Sequence, residues 1–324
     1  MRVSEFQLIQ QYFKSGAEAA LARPNSPVRC GIGDDCAVLA LPDGEELLVS
    51  VDTLVESVHF PVNYPSDLLA RRALAVCVSD LAACGAAPMG FTLALTFPDV
   101  DASWLADFVN ALAAAASEYD IALVGGDTTR GPLCISLQVM GSAPAGTAIL
   151  RSGAQPGDLI YVSGQLGDAR AALEFLDKPA SNLSLAEQAI LARYHAPSPR
   201  LKLGQKLRGL ATAAVDVSDG LAADLGHILT ASGVSAVINT EKLPLSAALV
   251  KTCPERAVEF ALSGGDDYEL CFTAPAEHRA TLAALSAELN LAITEIGYVD
   301  AGNGIQCYAA DGSEITPAAG YQHF

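Results

Sequence analysis

The chain has 324 residues and a mass of 33.5 kDa, 51% hydrophobic and 17% charged; this length suggests two domains, and the apolar content excludes disorder as the main state. Against 19 Lys and Arg stand 37 Asp and Glu, a formal net charge of −18, and such a surface repels nucleic acid and anionic membrane, so neither is an expected partner. No signal-peptide run follows Met1-Arg2-Val3, no apolar stretch reaches about 18 residues, and the eight cysteines form no C-x-x-C pair, which makes a cytoplasmic protein with reduced cysteines the expectation.

In chain order, Ser4-Glu5-Phe6-Gln7 is a capping-box pattern for a helix to about Lys14. Glu46–Asp52 reads as a strand ending in an acid. Ser66 opens an apolar helix through Ala83, with Gly85 as its stop. A strand over Gly90–Phe97, an Ala-rich helix over Asp101–Tyr119, a short strand Ile121–Val124 and a strand Leu133–Gly141 follow. The Pro- and Gly-rich stretch Ala143–Gly157 is the domain boundary. Beyond it come a strand at Leu159–Ser163, a helix at Asp168–Leu176 and a helical region, Leu185–Leu210, broken by Pro197 and Pro199. Next are a strand at Ala213–Val217 and a helix to Ala231 capped by Ser218 or Asp219, then two strand–helix units and short strands at Thr294–Val299 and Gly304–Ala309. The elements intermix without strict βαβ alternation, so the expected class is α+β, or mixed α/β, in two domains.

The acids fall in an unusual pattern. Asp recurs at expected strand ends and glycine turns: Gly33-Asp34-Asp35, Ser50-Val51-Asp52-Thr53, Ser79-Asp80, Gly125-Gly126-Asp127-Thr128-Thr129, Asp216-Val217-Ser218-Asp219-Gly220 and Gly264-Gly265-Asp266-Asp267. Any one of these is equally well a turn or a helix cap. Six together, with hydroxyl residues interspersed, form the oxygen-donor set of Mg²⁺, which takes one or two carboxylates and leaves its other positions to water and substrate phosphates. Walker A, Rossmann and protein-kinase patterns are absent, as are H-E-x-x-H, G-x-S-x-G and Cys/His zinc spacings. Arg151 is one of few basic residues near the acidic motifs and suits a phosphate, or else a surface salt bridge. His59 follows the Asp52-Thr53 cluster, and Trp104 with its Ala-rich helix reads as core.

Gly31-Ile32-Gly33-Asp34-Asp35-Cys36-Ala37, Val51-Asp52-Thr53-Leu54-Val55 with His59-Phe60, Ser79-Asp80-Leu81-Ala82-Ala83, Leu123–Gly131, Arg151-Ser152-Gly153, Asp216–Leu221 and Leu262–Leu270 occur in this order. The series, from about Phe6 to Phe324, resembles the thiamine-monophosphate kinase family, within the aminoimidazole ribonucleotide synthetase-like superfamily of ATP enzymes. The resemblance implies ATP-dependent phosphorylation of thiamine monophosphate to thiamine diphosphate, several Mg²⁺ ions, and a homodimer formed by an N-terminal domain, residues 1–145, that binds ATP and metal. An α/β domain, residues 146–324, would complete the active site. By position it implies Asp35, Ser50, Asp52, Asp80, Asp127, Asp216 and Asp219 as metal ligands, with Asp52, Asp80 and Asp127 the residues on which catalysis depends. Gly126, Asp127, Arg151 and Ser218 would contact the nucleotide, and His59, Asp266 and Tyr321 the thiamine phosphate. Two positions depart from the family's habit. Val51 stands where Thr or Ser is frequent, which would remove a hydroxyl ligand, and Asp266 stands where Glu is frequent. Other acceptors of the superfamily, and a non-catalytic metal or nucleotide sensor, are the alternative readings.

Overall fold

The computed structural model describes residues 9–14 and 26–321. The capping box at Ser4 lies outside them; of that first helix, Ile9–Phe13 forms one wide helical turn. The chain forms two compact units, Met1–Leu81 with Ala86–Gly146, and Ala82–Gly85 with Thr147–Phe324. Their division falls in the Pro- and Gly-rich stretch. Among the described residues no helix is long and apolar enough to cross a membrane.

In the first unit, β1 (Val28–Cys30) pairs with β2 (Val38–Leu39). There follow β3 (Glu45–Val55), α1 (Ser66–Ala83), β4 (Ala87–Phe97), α2 (Ala102–Glu118), β5 (Ala122–Arg130) and β6 (Cys134–Pro144). The sheet order is β3-β6-β4-β5, antiparallel except for the β4–β5 pair. Leu69, Ala73, Leu74, Cys77 and Leu81 of α1 are buried, as are Leu93 and Leu95 of β4 and Ile135, Leu137 and Val139 of β6. The helix is buried on nearly all sides, since Ala70, Arg72, Ala75, Val78 and Ala82 are covered as well, and each Leu or Val removed from water contributes about 1.5–3 kcal/mol. The Cys77 thiol donates to the Leu137 carbonyl at 3.2 Å, which fixes α1 against β6. At the start of α2, Asp101 caps by accepting from the N–H groups of Ser103 and Trp104.

Two acids expected at strand ends or turns lie inside strands instead, while Asp80 lies in the helix expected over Ser66–Ala83. Asp52 is within β3, because the chain keeps pairing with β6 as far as Val55. Asp80 sits in the last turn of α1. Asp127 is within β5, which does not stop at Val124 but runs on through both glycines to Arg130. The β4–β5 register shifts between Phe91 and Thr92, so Val124 is bulged and Gly125 resumes opposite Thr92. Gly126 has φ +156°, and a Cβ there would run into the Leu93 carbonyl. The glycines therefore admit a bulge and a close backbone approach, the other meaning of Gly in a strand.

The second unit contains β7 (Leu159–Ser163), α3 (Asp168–Ala172), α4 (Leu185–His195), α5 (Leu201–Leu207), β8 (Ala213–Asp216), α6 (Leu221–Ser232) and β9 (Ser235–Asn239). It continues with α7 (Ala247–Thr252), α8 (Ala257–Ser263), β10 (Leu270–Ala274), α9 (Arg279–Leu289), β11 (Ile293–Asp300), β12 (Gly304–Tyr308) and β13 (Glu314–Ile315). Seven strands make one sheet in the order β13-β12-β9-β11-β7-β10-β8, with β9–β12 the single parallel pair. Its core is Ile160, Val162, Val215, Leu225, Ile228, Ile238, Cys271 and Ile296, with their neighbours. β7 and β10 are buried on nearly every residue, the pattern of central strands. The helix expected from Asp168 to Leu176 ends at Ala172, and the Pro197–Pro199 break separates α4 from α5.

Candidate active site

In the first unit a cavity of about 420 Å³ is lined by Gly33, Asp34, Asp35, Gly126, Asp127 and Thr128, with apolar walls that include Ile32, Leu93 and Leu123. It brings the first glycine motif against the bulged end of β5. The Asp127 carboxylate accepts from the Thr128 N–H at 2.9 Å and the Thr129 hydroxyl at 3.2 Å, which orients it. Asp34 accepts from the Asp35 N–H at 2.9 Å.

A second group in the same unit is Ser50, Asp52 and Asp80. Strand alternation puts positions 50 and 52 on one face of β3, and Ser50 donates to Asp80 across 2.5 Å. Burial, and then the Asp80 charge, push the Asp52 carboxyl up to about 6, against a lowering hydrogen bond from Cys77. Val51 points to the opposite face of the strand and is exposed. A hydroxyl at position 51 would therefore not reach this pair, and Ser50 supplies one instead. Asp52, Leu137, Leu93 and Gly126 lie in one row across the sheet. Three strand spacings of about 4.8 Å separate its ends, so the Asp52–Asp80 pair and Asp127 are two separate sets of donors. His59 stands just beyond β3, where its Nδ1 accepts from the Val55 N–H at 3.0 Å and its own N–H donates to the Val55 carbonyl.

The second unit gathers five of the expected residues. Asp216 ends β8, and Ser218 and Asp219 lie in the turn before α6. The Asp266 N–H donates to the Ser218 carbonyl at 2.8 Å, and the Tyr321 N–H donates to the Asp219 carbonyl at 3.2 Å. Gly265 makes the first of these approaches feasible, since a Cβ there would overlap the Ser218 carbonyl. Arg151 is placed apart: the Leu150 carbonyl bonds Ala214, near the end of β8 away from Asp216, and the Arg151 side chain is exposed.

Ser218 and Asp219 do not cap α6. The N-cap is Gly220, φ +119°, and no side chain caps from that position. Asp224, one turn into the helix, reaches back and accepts from the N–H groups of Ser218, Asp219 and Gly220 at 3.0, 3.0 and 3.1 Å. Burial raises its carboxyl to about 7 in spite of these bonds. Two further buried acids support the neighbouring turn. Asp267, whose carboxyl burial raises far above the usual range, accepts from the N–H groups of Gly167 and Ala169. Glu269 takes Arg193 at 2.6 Å, the Arg200 guanidinium through Nε at 2.6 Å and again through Nη2, and the Ser163 hydroxyl at 2.6 Å. Asp267 belongs to one of the six acidic motifs, but residue type and spacing do not reveal that it faces inward, nor do they reveal Asp224 or Glu269 as supports. The one sequence signal is an acid in the first turn after Gly220.

Among the described residues no three His, Cys, Asp or Glu side chains are arranged to hold a metal ion by themselves. What is present is carboxylates in ones and twos beside a hydroxyl, with like charges pressed together at Asp52 and Asp80. That donor set suits Mg²⁺ shared with phosphate oxygens and does not suit an enclosed all-protein site.

Comparison with known proteins bears on the chain as a whole. Family profiles for AIR synthase related protein match residues 33–143 (N-terminal domain) and 155–309 (C-terminal domain). Over 328 aligned positions, covering 100% of this chain and 99% of the relative, it is 46% identical to thiamine-monophosphate kinase of Escherichia coli strain K12. The chain belongs to the thiamine-monophosphate kinase family. Within that family, the crystal structure of the Stenotrophomonas maltophilia K279a thiamine-monophosphate kinase superposes with a TM-score of 0.87 at 43% identity, over 97% of this chain and 99% of that one. AaThiL complexed with AMPPCP and TMP superposes with a TM-score of 0.79 at 33% identity, over 100% and 99%. Both kinases share with this chain the mixed α/β architecture described above.

Proposed function

We propose that this protein transfers the γ-phosphoryl group of ATP to the phosphate of thiamine monophosphate, forming thiamine diphosphate and ADP. The observation that carries this reading is the 46% identity to a thiamine-monophosphate kinase over the whole chain. AaThiL, which is complexed with AMPPCP (an ATP analogue) and TMP, supports the pairing of substrates. The acceptor oxygen belongs to a phosphate monoester and is ionised at neutral pH, so the protein needs positioning and charge compensation more than a strong base. Magnesium ions, when bound, would neutralise the phosphate oxygens as two polyanions approach each other.

Asp35 and Asp127, Ser50 with Asp52 and Asp80, and Asp216 with Asp219 are the residues we assign to metal. Gly126, Asp127, Arg151 and Ser218 are assigned to the nucleotide, and His59, Asp266 and Tyr321 to thiamine monophosphate. Asp127 suits its role because its carboxylate is already oriented by Thr128 and Thr129. We also propose a homodimer, since Leu47, Val49 and Val51 are 53%, 50% and 63% exposed in a row along one face of β3, and a cytoplasmic setting, where eight unpaired cysteines stay reduced.

Phosphorus NMR of the protein with ATP, Mg²⁺ and thiamine monophosphate tests this, with controls lacking acceptor or metal. A thiamine diphosphate signal requiring both is expected. ADP without thiamine diphosphate would assign another acceptor, and binding with ATP left intact would make the protein a sensor.

A further inference from the structure

The two turns that carry the second unit's site residues are each tied down from beneath by buried carboxylates. Asp224 is 2% exposed, Asp267 4% and Glu269 0%. Ionised or not, such groups are costly to bury unless hydrogen-bonded, and all three are. Their bonds go to different places. Asp224 gathers three consecutive N–H groups of the 218–220 turn and touches nothing on the 264–268 turn in these bonds. Asp267 and Glu269 instead fasten the far side of the 264–268 turn to Gly167 and Ala169, to Ser163 at the end of β7, to Arg193 of α4 and to Arg200 before α5.

The second turn needs such fastening. Asp266 and Tyr268 have φ of +73° and +49°, the left-handed region, without being glycine. Each such residue costs on the order of 1 kcal/mol or more and persists only where its surroundings enforce it. The residues alternate: 266 and 268 are strained and linked by a Tyr268 hydroxyl donating to Asp266 at 3.1 Å, while 267 and 269 point inward and are anchored.

We propose that Asp224 is a positioning residue for the nucleotide and metal turn at 216–220, and that Asp267 and Glu269 are positioning residues for the acceptor turn at 264–268, so that the two turns are held by separate anchors. This rests on the assignment of Asp266 to thiamine monophosphate and of Ser218 and Asp219 to nucleotide and metal. Three backbone hydrogen bonds join the turns, from Asp266, Tyr268 and Val217. The consequence is therefore a split in magnitude between the two substrates, and not complete independence.

The test is steady-state kinetics of the full chain, each substrate varied with the other saturating, on Asp224→Asn, Asp267→Asn, Glu269→Gln and Asp266→Ala. Asp224→Asn should raise KM for ATP about tenfold and KM for thiamine monophosphate about twofold or less; Glu269→Gln and Asp267→Asn should do the reverse. Should Glu269→Gln fail to fold with two arginines left unpaired, Ser163→Ala removes one bond to the same carboxylate and should raise the acceptor KM about threefold. A fall in kcat with both KM values unchanged would mean these acids only keep the protein folded, and would overturn the proposal. Equal rises in both KM values for every variant would overturn the separation of anchors. If Asp266→Ala leaves the acceptor KM unchanged, the assignment of Asp266 fails instead, whatever the anchors do.

Discussion

Asp80 occupies a place where a carboxylate is disfavoured twice, in the last turn of α1 and beside Asp52. A helix C-terminus carries partial negative charge, and a second, half-buried carboxylate adds to it. Such an arrangement lowers stability and is kept where a cation is needed. Asp52→Asn should therefore raise the thermal midpoint by a few degrees in metal-free buffer while phosphoryl transfer falls about 100-fold or more. Calorimetry and an ADP-release assay on the same preparation check both halves, and a lowered midpoint would refute the repulsion. For Asp127 the expectation differs, because its carboxylate is exposed and already hydrogen-bonded. Asp127→Asn should leave the midpoint within about 1–2 degrees and reduce turnover about 100-fold or more; an active, Mg²⁺-dependent variant would remove Asp127 from the machinery.

Among the elements, β5 shows what glycine does in this protein. The bulge at Val124 and the close approach of Gly126 to Leu93 re-aim the strand so that Asp127 ends on the cavity wall. Gly126→Ala has no room and the wrong φ, so it should cost about 2–4 kcal/mol, read as a lowered denaturation midpoint; an unchanged midpoint would mean the strand can shift away from β4. The same element shows where sequence reading stops. α1 was legible from Ser66 to Ala83 because its apolar spacing, its first residue and its stop at Gly85 agree. β5 was legible only to Val124, since Gly-Gly-Asp is turn chemistry until a neighbouring backbone is known to lie against it. Asp35, Gly126 and Asp127 were identified by their motifs and do share one cavity. Asp224 was not distinguished from a surface acid, and Asp267 was grouped with the ligand motifs although it faces inward as an anchor, because which way an acid faces depends on strands and helices distant in sequence.

For the whole molecule, charge and burial set the pH response. Burial raises the carboxyls of Asp168 and Asp267 above their unfolded values. Their contribution to stability is complete below about pH 4 and is lost as pH rises through the folded values. Glu187 runs the other way: its bond to Lys178 holds it at about 2, so its contribution is lost only below about pH 4.5. With a net charge of −18 adding self-repulsion at neutral pH, the thermal midpoint without metal should be higher at pH 5.5 than at pH 8 by several degrees. A scan that rises with pH would contradict this. At the same scale, Val51→Glu on the open face of β3 should shift sedimentation from dimer to monomer without lowering the midpoint by more than a few degrees; an unaltered sedimentation profile would place the subunit contact elsewhere.

The strand order of the seven-stranded sheet also has a consequence for how the protein is made. β7 is among the first strands of the second unit to leave the ribosome, yet its partners are β10 and β11, as in the pairing of Val162 with Cys271. About 110 residues separate the two, and at about 5–20 residues per second the wait is on the order of 5–20 s. Throughout it Leu-Ile-Tyr-Val-Ser, an apolar and strand-prone segment, has both edges unpaired. Nascent chains stalled between β7 and β10 are therefore where this protein is most exposed to aggregation and most in need of a chaperone.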